Sequence, residues 1–408
     1  RENIWAWGYY YQNAQVMLVS DTGNHRIKKC WANSSGTSLL RCSVSKGVGG
    51  VAAHEFWGHP RTLAGQLHAV GGMTYLHGSN RLLVSDTSNT RINMYSPAGA
   101  YLGRFTGADV SYGVTGLQSF TDSRYGESVA VLVASDATLP WPYTGDSTLR
   151  IYDAGGALKG QYNLTYRTGS LPVPSIAFSN GNYPVELSIR SRACCPGQHE
   201  VFVTSFGDYL WRFDYDSSNG SLTRRWHAGG RDVSKGNDGD ANWALGVNFF
   251  KQGSAGTFDT IQGVLALEQR VYVVDRRNQR IQAFDPATGT LLGQIGAGGG
   301  TYDHPDTLTA DRFFLPVGLA YDRAQDALIV GDSYNMVVRA FDNPDLLPVQ
   351  TGGRIAPAAR GHWFDVSRGS RPGGLFAASQ VAVGGGQVFV HSLISNRITV
   401  FDWSELKP

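Results

Sequence analysis

The sequence predicts an all-β fold in which short four-stranded sheets repeat along the chain and assemble into a ring. A recurring phrase is the first observation behind this. Residues 16–27 read VMLVSDTGNHRI, and residues 81–92 read RLLVSDTSNTRI. The phrase returns at 271 as VYVVDRRNQRI and, blurred, at 328 as LIVGDSYNMVV and at 388 as VFVHSLISNRI. The second observation is punctuation: β-rich runs of four to eight residues alternate with turns of Gly, Pro, Asn and Ser. The third is that no 11-residue stretch shows a convincing helical period.

One unit shows the elements in order. GMTYLHG is a first run, and LLVSD a second that ends at Asp86. A four-residue turn leads to RINMY, SPAG turns again, and YLGRF is the fourth run. The unit from residue 259 repeats the series as TIQGVLAL, RVYVVD, RIQAFD and TLLGQIG. Second strands near 16–20, 81–85, 128–134, 200–204, 271–274, 327–331 and 387–390 give seven units. A lone four-stranded sheet with two apolar faces is marginal, so each must bury its faces against neighbours. The expectation is one domain over residues 1–408: a closed β-propeller of seven blades, or six if unit three or four merges with a neighbour. The last unit lacks a fourth strand, and residues 3–7, NIWAW, are expected to supply it and so close the ring.

The hairpin phrase resembles the NHL repeat, a family of β-propeller units. Asp21, Asn24 and Arg26 carry the pattern, as do Asp86, Asn89 and Arg91, and Asp275, Asn278 and Arg280. Unit six keeps Asp332 and Asn335 but has Val337 where Arg belongs; unit seven keeps only Arg397. Familiar NHL propellers are most often six-bladed, so seven units departs from the common pattern. The motif is read as structural. Asp accepts from turn amides, Asn tolerates left-handed backbone, and Arg reaches back to carboxylate or carbonyl.

The resemblance extends to peptidyl-hydroxyglycine amidating lyases, which hold zinc by three His from separate blades. Here His54, His59, His68 and His77 crowd into one region between units, while His304 and His362 are in linkers. Zinc needs three converging imidazoles and an open position. No catalytic residue, metal or cofactor is therefore expected. NDGD at 237–240 lacks the bidentate Glu of a calcium loop and is read as a turn.

The net charge of +2 leaves no electrostatic footprint for nucleic acid, and no apolar run is long enough for a membrane span. Four cysteines permit complete pairing. Cys30 and Cys42 flank ANSSGTS, and a hairpin there sets them opposite, about 4.5–5.5 Å apart at Cα, within disulfide reach. The adjacent Cys194 and Cys195 can close on each other, pair with the first two, or bond between molecules. Asn33, Asn163 and Asn219 head glycosylation triplets, two of them at predicted turns. These features lean towards an extracellular, secreted location. The chain begins with Arg, as a processed product or an excerpt would.

The long irregular segments should gather on one face, with Trp57, Trp141, Tyr143, Trp243 and Trp363 as binding candidates. The expected function is a non-enzymatic propeller that engages a protein or glycan partner, or itself, within an extracellular assembly. The alternative is a metal-dependent lyase or hydrolase with its site in the central channel.

Overall fold

The computed structural model describes the backbone of residues 16–21, 26–32, 39–47 and 55–57. With side chains for nearly all of them, it describes residues 67, 70–106, 114–133, 147–164, 184–205, 208–230, 254–296, 312–350, 353–356, 359–363, 378–392 and 397–406. Near the N-terminus are β1 (Val16–Asp21), β2 (Arg26–Ala32), β3 (Leu39–Gly47) and β4 (Glu55–Trp57). Blade one holds β5 (Met73–Leu76), β6 (Arg81–Asp86), β7 (Arg91–Tyr95) and β8 (Tyr101–Arg104). Blade two holds β9 (Val114–Asp122), β10 (Gly126–Val133), β11 (Thr148–Asp153) and β12 (Leu158–Asn163). Blade three holds β13 (Pro184–Ser191), β14 (Gln198–Ser205), β15 (Tyr209–Asp216) and β16 (Ser221–Gly229). In blade four are β17 (Ile261–Ala266), β18 (Val271–Asp275), β19 (Arg280–Phe284) and β20 (Leu291–Ile295). Blade five runs through β21 (Pro316–Asp322), β22 (Ala327–Asp332), β23 (Val337–Asp342) and β24 (Ala359–Trp363). Blade six has β25 (Ala378–Gly384), β26 (Gln387–Ser392) and β27 (Arg397–Asp402).

Two expectations need correction. Among the described residues there are six four-stranded blades, not seven, and β1–β2–β3 form a separate three-stranded sheet. The reason is spatial: β25 packs directly on β5, which leaves no position for a seventh blade between the last and the first. The outer place in blade six, expected for NIWAW, is taken by another strand. Those residues lie outside the described ones, and β4 occupies the edge, with Trp57 opposite Arg397, Phe56 opposite Ile398 and Glu55 opposite Thr399. The phrase at 16–27 does form a hairpin, with Asp21 opposite Arg26 as Asp86 is opposite Arg91. A phrase that specifies a hairpin does not place that hairpin in a ring.

Among the described residues, the core is six wedges, one at each blade interface. Phe120, Leu132, Leu187 and Trp211 belong to the wedge between blades two and three. Tyr75, Val84, Phe389 and Ile398 join blade six to blade one, where Tyr75 and Phe389 stack at 5.6 Å. The other four interfaces are filled in the same way. Burying a Leu, Val or Phe side chain contributes roughly 1.5–3 kcal/mol, so these wedges supply most of the cohesion.

Polar stitches run between the wedges. An inner strand has one edge with no strand beside it, and its free amides need partners. Neighbouring inner strands provide them: Ser119 N donates to Thr74 Oγ1 at 2.8 Å, Ile189 N to Gln118 Oε1 at 2.8 Å, and Ala266 N to Ser188 Oγ at 2.9 Å. Further out, guanidinium groups cap carbonyls of the next blade. Arg124 donates to Ser217 O, Arg212 to Pro286 O and Arg270 to Leu347 O, at 3.2, 2.6 and 2.6 Å.

The outer strands share a device that sequence reading overlooked. In β8, β12, β16, β20 and β24 one residue bulges out of register: Leu102, Lys159, Arg225, Leu292 and Arg360. Bulges twist an edge away from further pairing, and charge blunts it. Lys159 pairs with Asp153 at 2.8 Å and Arg225 with Asp214 at 2.6 Å; Arg360 pairs with Asp342.

The ring also depends on glycine where inner strands meet. A Cβ on Gly318 would lie 2.3 Å from Ser379 O of the next blade. Gly318→Ala should therefore cost roughly 1–3 kcal/mol by overpacking, read as a lower denaturation midpoint in thermal or urea unfolding. An unchanged midpoint would mean that blades five and six do not approach this closely.

Candidate functional site

The repeat residues come together as buried struts at the ends of the second strands. Asp86 is fully buried, and Asn89 Nδ2 donates to both its oxygens at 2.9 Å while Arg91 Nε donates at 2.7 Å. Blade four repeats this closely. Asn278 Nδ2 reaches the Asp275 oxygens at 2.9 and 2.8 Å, Arg280 Nε reaches Oδ2 at 2.7 Å, and the Asp259 amide reaches Oδ1 at 2.8 Å. The Arg280 amino groups continue to the Ser254 and Thr257 carbonyls. Burial pushes the Asp275 carboxyl up to about 6, against the opposing pull of Arg280 and the donors around it.

Blade five shows how a degraded copy keeps its strut. Val337 stands where Arg is expected, but Arg339, two residues on and on the same face of β23, meets Asp332 at 2.7 Å. Asn335 Nδ2 and the Phe314 amide complete the shell at 2.9 and 2.7 Å. The missing Arg was in the sequence, shifted by one strand period. In the first copy, Asp21 and Arg26 are described by backbone alone, and Asn24 lies outside the described residues.

The aromatic candidates do not assemble into a described face. Trp141, Tyr143 and Trp243 lie outside the described residues, and Trp57 is placed by its backbone in β4. Trp363 is a core residue: only 1% exposed, it packs edge-on to Trp403 and donates to Asp402 O at 3.0 Å. That removes it as a surface anchor.

Cys30 is opposite Cys42 in the β2–β3 register, as the hairpin reading expects; their side chains lie outside the described set. Cys194 and Cys195 are bonded to each other, in the turn between β13 and β14. Asn163 and Asn219 are exposed, and Asn33 lies outside the described residues. Asn219 Oδ1 accepts from Ser221 N at 2.9 Å, an Asx-type turn.

Two polar constellations had escaped the sequence reading. The first joins blades two and three: His199 Nε2 meets Asp122 Oδ2 at 2.7 Å, and Ser191 Oγ meets His199 Nδ1 at 3.0 Å. Ser191 Oγ also donates to Thr121 O at 2.7 Å, and Tyr215 and Phe120 flank the imidazole. Burial lowers the His199 pKa despite Asp122. With the ring packed on both sides, this array acts as a brace between blades.

The second constellation is axial. The third residue of the inner strand is Gly116, Gly263 or Gly318 in three blades, and Gly72 holds the matching place before β5. Blades three and six break the pattern with Glu186 and Gln380, and in a ring of six these blades are opposite. Glu186 is 9% exposed; its Oε1 accepts from Leu187 N at 3.2 Å, and the Gln380 side chain lies near enough to act on its carboxyl. A Cβ on Gly116 would come within 2.6 Å of the same oxygen, so glycine makes room for the carboxyl. Burial pushes Glu186 up to about 8. The signal was present in the sequence, as the one acid in an aligned row of glycines, but it is visible only once the inner strands are superposed.

Two outcomes are expected. Asp275→Ala leaves Arg280 buried without its carboxylate and should cost about 3–5 kcal/mol in chemical denaturation. Glu186 binds its proton more tightly folded than unfolded. Its contribution to stability should therefore fall as pH rises from about 4.5 to about 8, by at most ~1.4 kcal/mol per pH unit, and level off above. A pH series of unfolding midpoints in the parent and in Glu186→Gln checks this; identical slopes would contradict it.

No family model matches the chain, and no curated protein does. Solved structures do. A Bacteroides thetaiotaomicron protein of unknown function aligns over 96% of this chain and 91% of its own, at 10% identity and a TM-score of 0.51. An auxiliary nutrient binding protein from the same organism aligns over 92% and 83%, at 12% identity and 0.44. The hydrazine synthase of Kuenenia stuttgartiensis aligns over 96% and 93%, at 10% identity and 0.44. At such identities the likeness concerns the fold alone. Fold and likeness together make this chain a β-propeller.

Proposed function

We propose that the chain is a secreted, non-enzymatic propeller that serves as an interaction or structural module for a protein or glycan partner in an extracellular assembly. The observation that carries this reading is the fate of the repeat's polar residues. Asp86, Asp275 and Asp332 are each bound to an Asn and an Arg of their own blade. A ring braced this way is a stiff frame on which connecting segments are held for recognition. Secretion is supported by the Cys194–Cys195 bond and by the exposure of Asn163 and Asn219. Among the described residues no helix is long and apolar enough to cross a membrane.

The test is intact mass of the full chain expressed through a secretory pathway, before and after enzymatic deglycosylation and reduction, with metal analysis of the same sample. Loss of glycan mass and a gain of two protons per disulfide are expected. A chain without glycan and with alkylatable thiols would overturn the secreted reading, and stoichiometric zinc or calcium would overturn the non-enzymatic one.

A further inference from the structure

The geometry points to a cation site on the axis of the ring: we propose that Glu186, with Gln380 across the axis, receives the ammonium or guanidinium end of a basic side chain presented by a partner protein. This rests on the reading of the chain as an interaction module and names the partner's chemistry.

Three observations carry it. The first is placement. β13 and β25 are inner strands of opposite blades, and their third residues reach each other across a layer that is otherwise glycine. The second is the missing counter-charge. Asp86, Asp275, Asp332 and Glu200 each have a guanidinium nitrogen at 2.7 Å. Among the described residues Glu186 has no ion pair: its Oε1 accepts from the Leu187 amide at 3.2 Å, and the Gln380 side chain lies beside it. A buried carboxylate without a cation is costly, so this group stays protonated near neutral pH. The third is access: Thr115, Val185, Gln262 and Gln380 around it are half-buried rather than buried.

An arriving cation would turn Glu186 into a carboxylate, and its proton would leave to solvent. The Gln380 carbonyl oxygen can accept a further N–H from the same cation. Beside Gln380, His391 of β26 meets Ser379 Oγ through its Nδ1 at 2.6 Å; the titratable groups on the strands packed against β13 stand further along it. β9 carries Asp122, β10 Glu127, β14 His199 and Glu200, and β13 itself Arg190. The register sets Glu186 opposite Thr204, whereas Arg190 is opposite Glu200 and Ser191 opposite His199, at the far end of the strands. β17 and β25 carry none, and Asp208 beside β17 accepts from Ile261 N at 3.0 Å.

The experiment is calorimetric titration of the full chain with propylguanidinium chloride, propylammonium chloride and the peptide acetyl-Gly-Arg-Gly-amide, in two buffers of different ionisation enthalpy. Below pH 8 binding should release close to one proton, and affinity should rise about tenfold per pH unit as the ionised fraction grows. Tighter binding of the peptide than of the small cations assigns the site to a protein partner; the reverse assigns it to a free organic cation and overturns the partner. Glu186→Gln should fold with a midpoint at least equal to the parent's and lose both binding and proton release. Gln380→Ala should weaken binding severalfold and keep the proton release. Silence of every probe, binding that survives Glu186→Gln, or binding without proton release would each overturn the site. Silent probes would leave the mass and metal measurements to judge the module reading separately.

Discussion

Everything in this molecule depends on how closely six inner strands can crowd round one axis. Each strand must bury both faces of its sheet against neighbours and still find partners for the amides on its free edge. Glycine at the third position lets the backbones approach, as Gly318 does against Ser379 and Gly263 against Val317 O. Polar side chains two residues on, Thr74, Gln118 and Ser188, then accept from the amides of the adjoining strand. Without the close approach those hydrogen bonds could not form, and the six apolar wedges would gape towards the axis.

The same crowding explains how charge is used. A carboxylate at the end of a second strand is buried by the neighbouring blade, so it needs a cation and amide donors from within reach. Asn three residues on and Arg five residues on satisfy that in blades one and four. Blade five meets the need with Arg at seven, because i and i+2 share one face of a strand and a shift of two preserves the contact. What is retained is the neutralised pair rather than the spacing. Glu186 is the departure from this rule, a buried acid whose neighbour is an amide, and that departure gives the axial layer its chemical character.

Local features were legible. The hairpin phrase gave the pairing of Asp86 with Arg91 and Asp275 with Arg280, and alternation of apolar residues placed the strands of each blade. The Cys30–Cys42 register followed from a symmetric turn. The edge strand β4 was not legible, because three residues are too few to show a period-two pattern, and EFW sits within a segment with no other strand signal. The brace between His199 and Asp122 was hidden for a different reason: its members are 77 residues apart and belong to different blades.

By itself the sequence determined the class of fold, the four-strand unit and the residues that neutralise one another within a unit, since these depend on contacts a few residues apart. Tertiary structure decided the number of blades, the exclusion of the β1–β3 sheet from the ring, the identity of the sixth blade's outer strand and the meeting of Glu186 with Gln380. Those outcomes depend on which strand edge is left free once the apolar faces are packed, and on which residues then face one another across the axis. A repeat specifies its own hairpins equally well inside or outside the ring; only the packing of β25 on β5 fixes how many of them the ring admits.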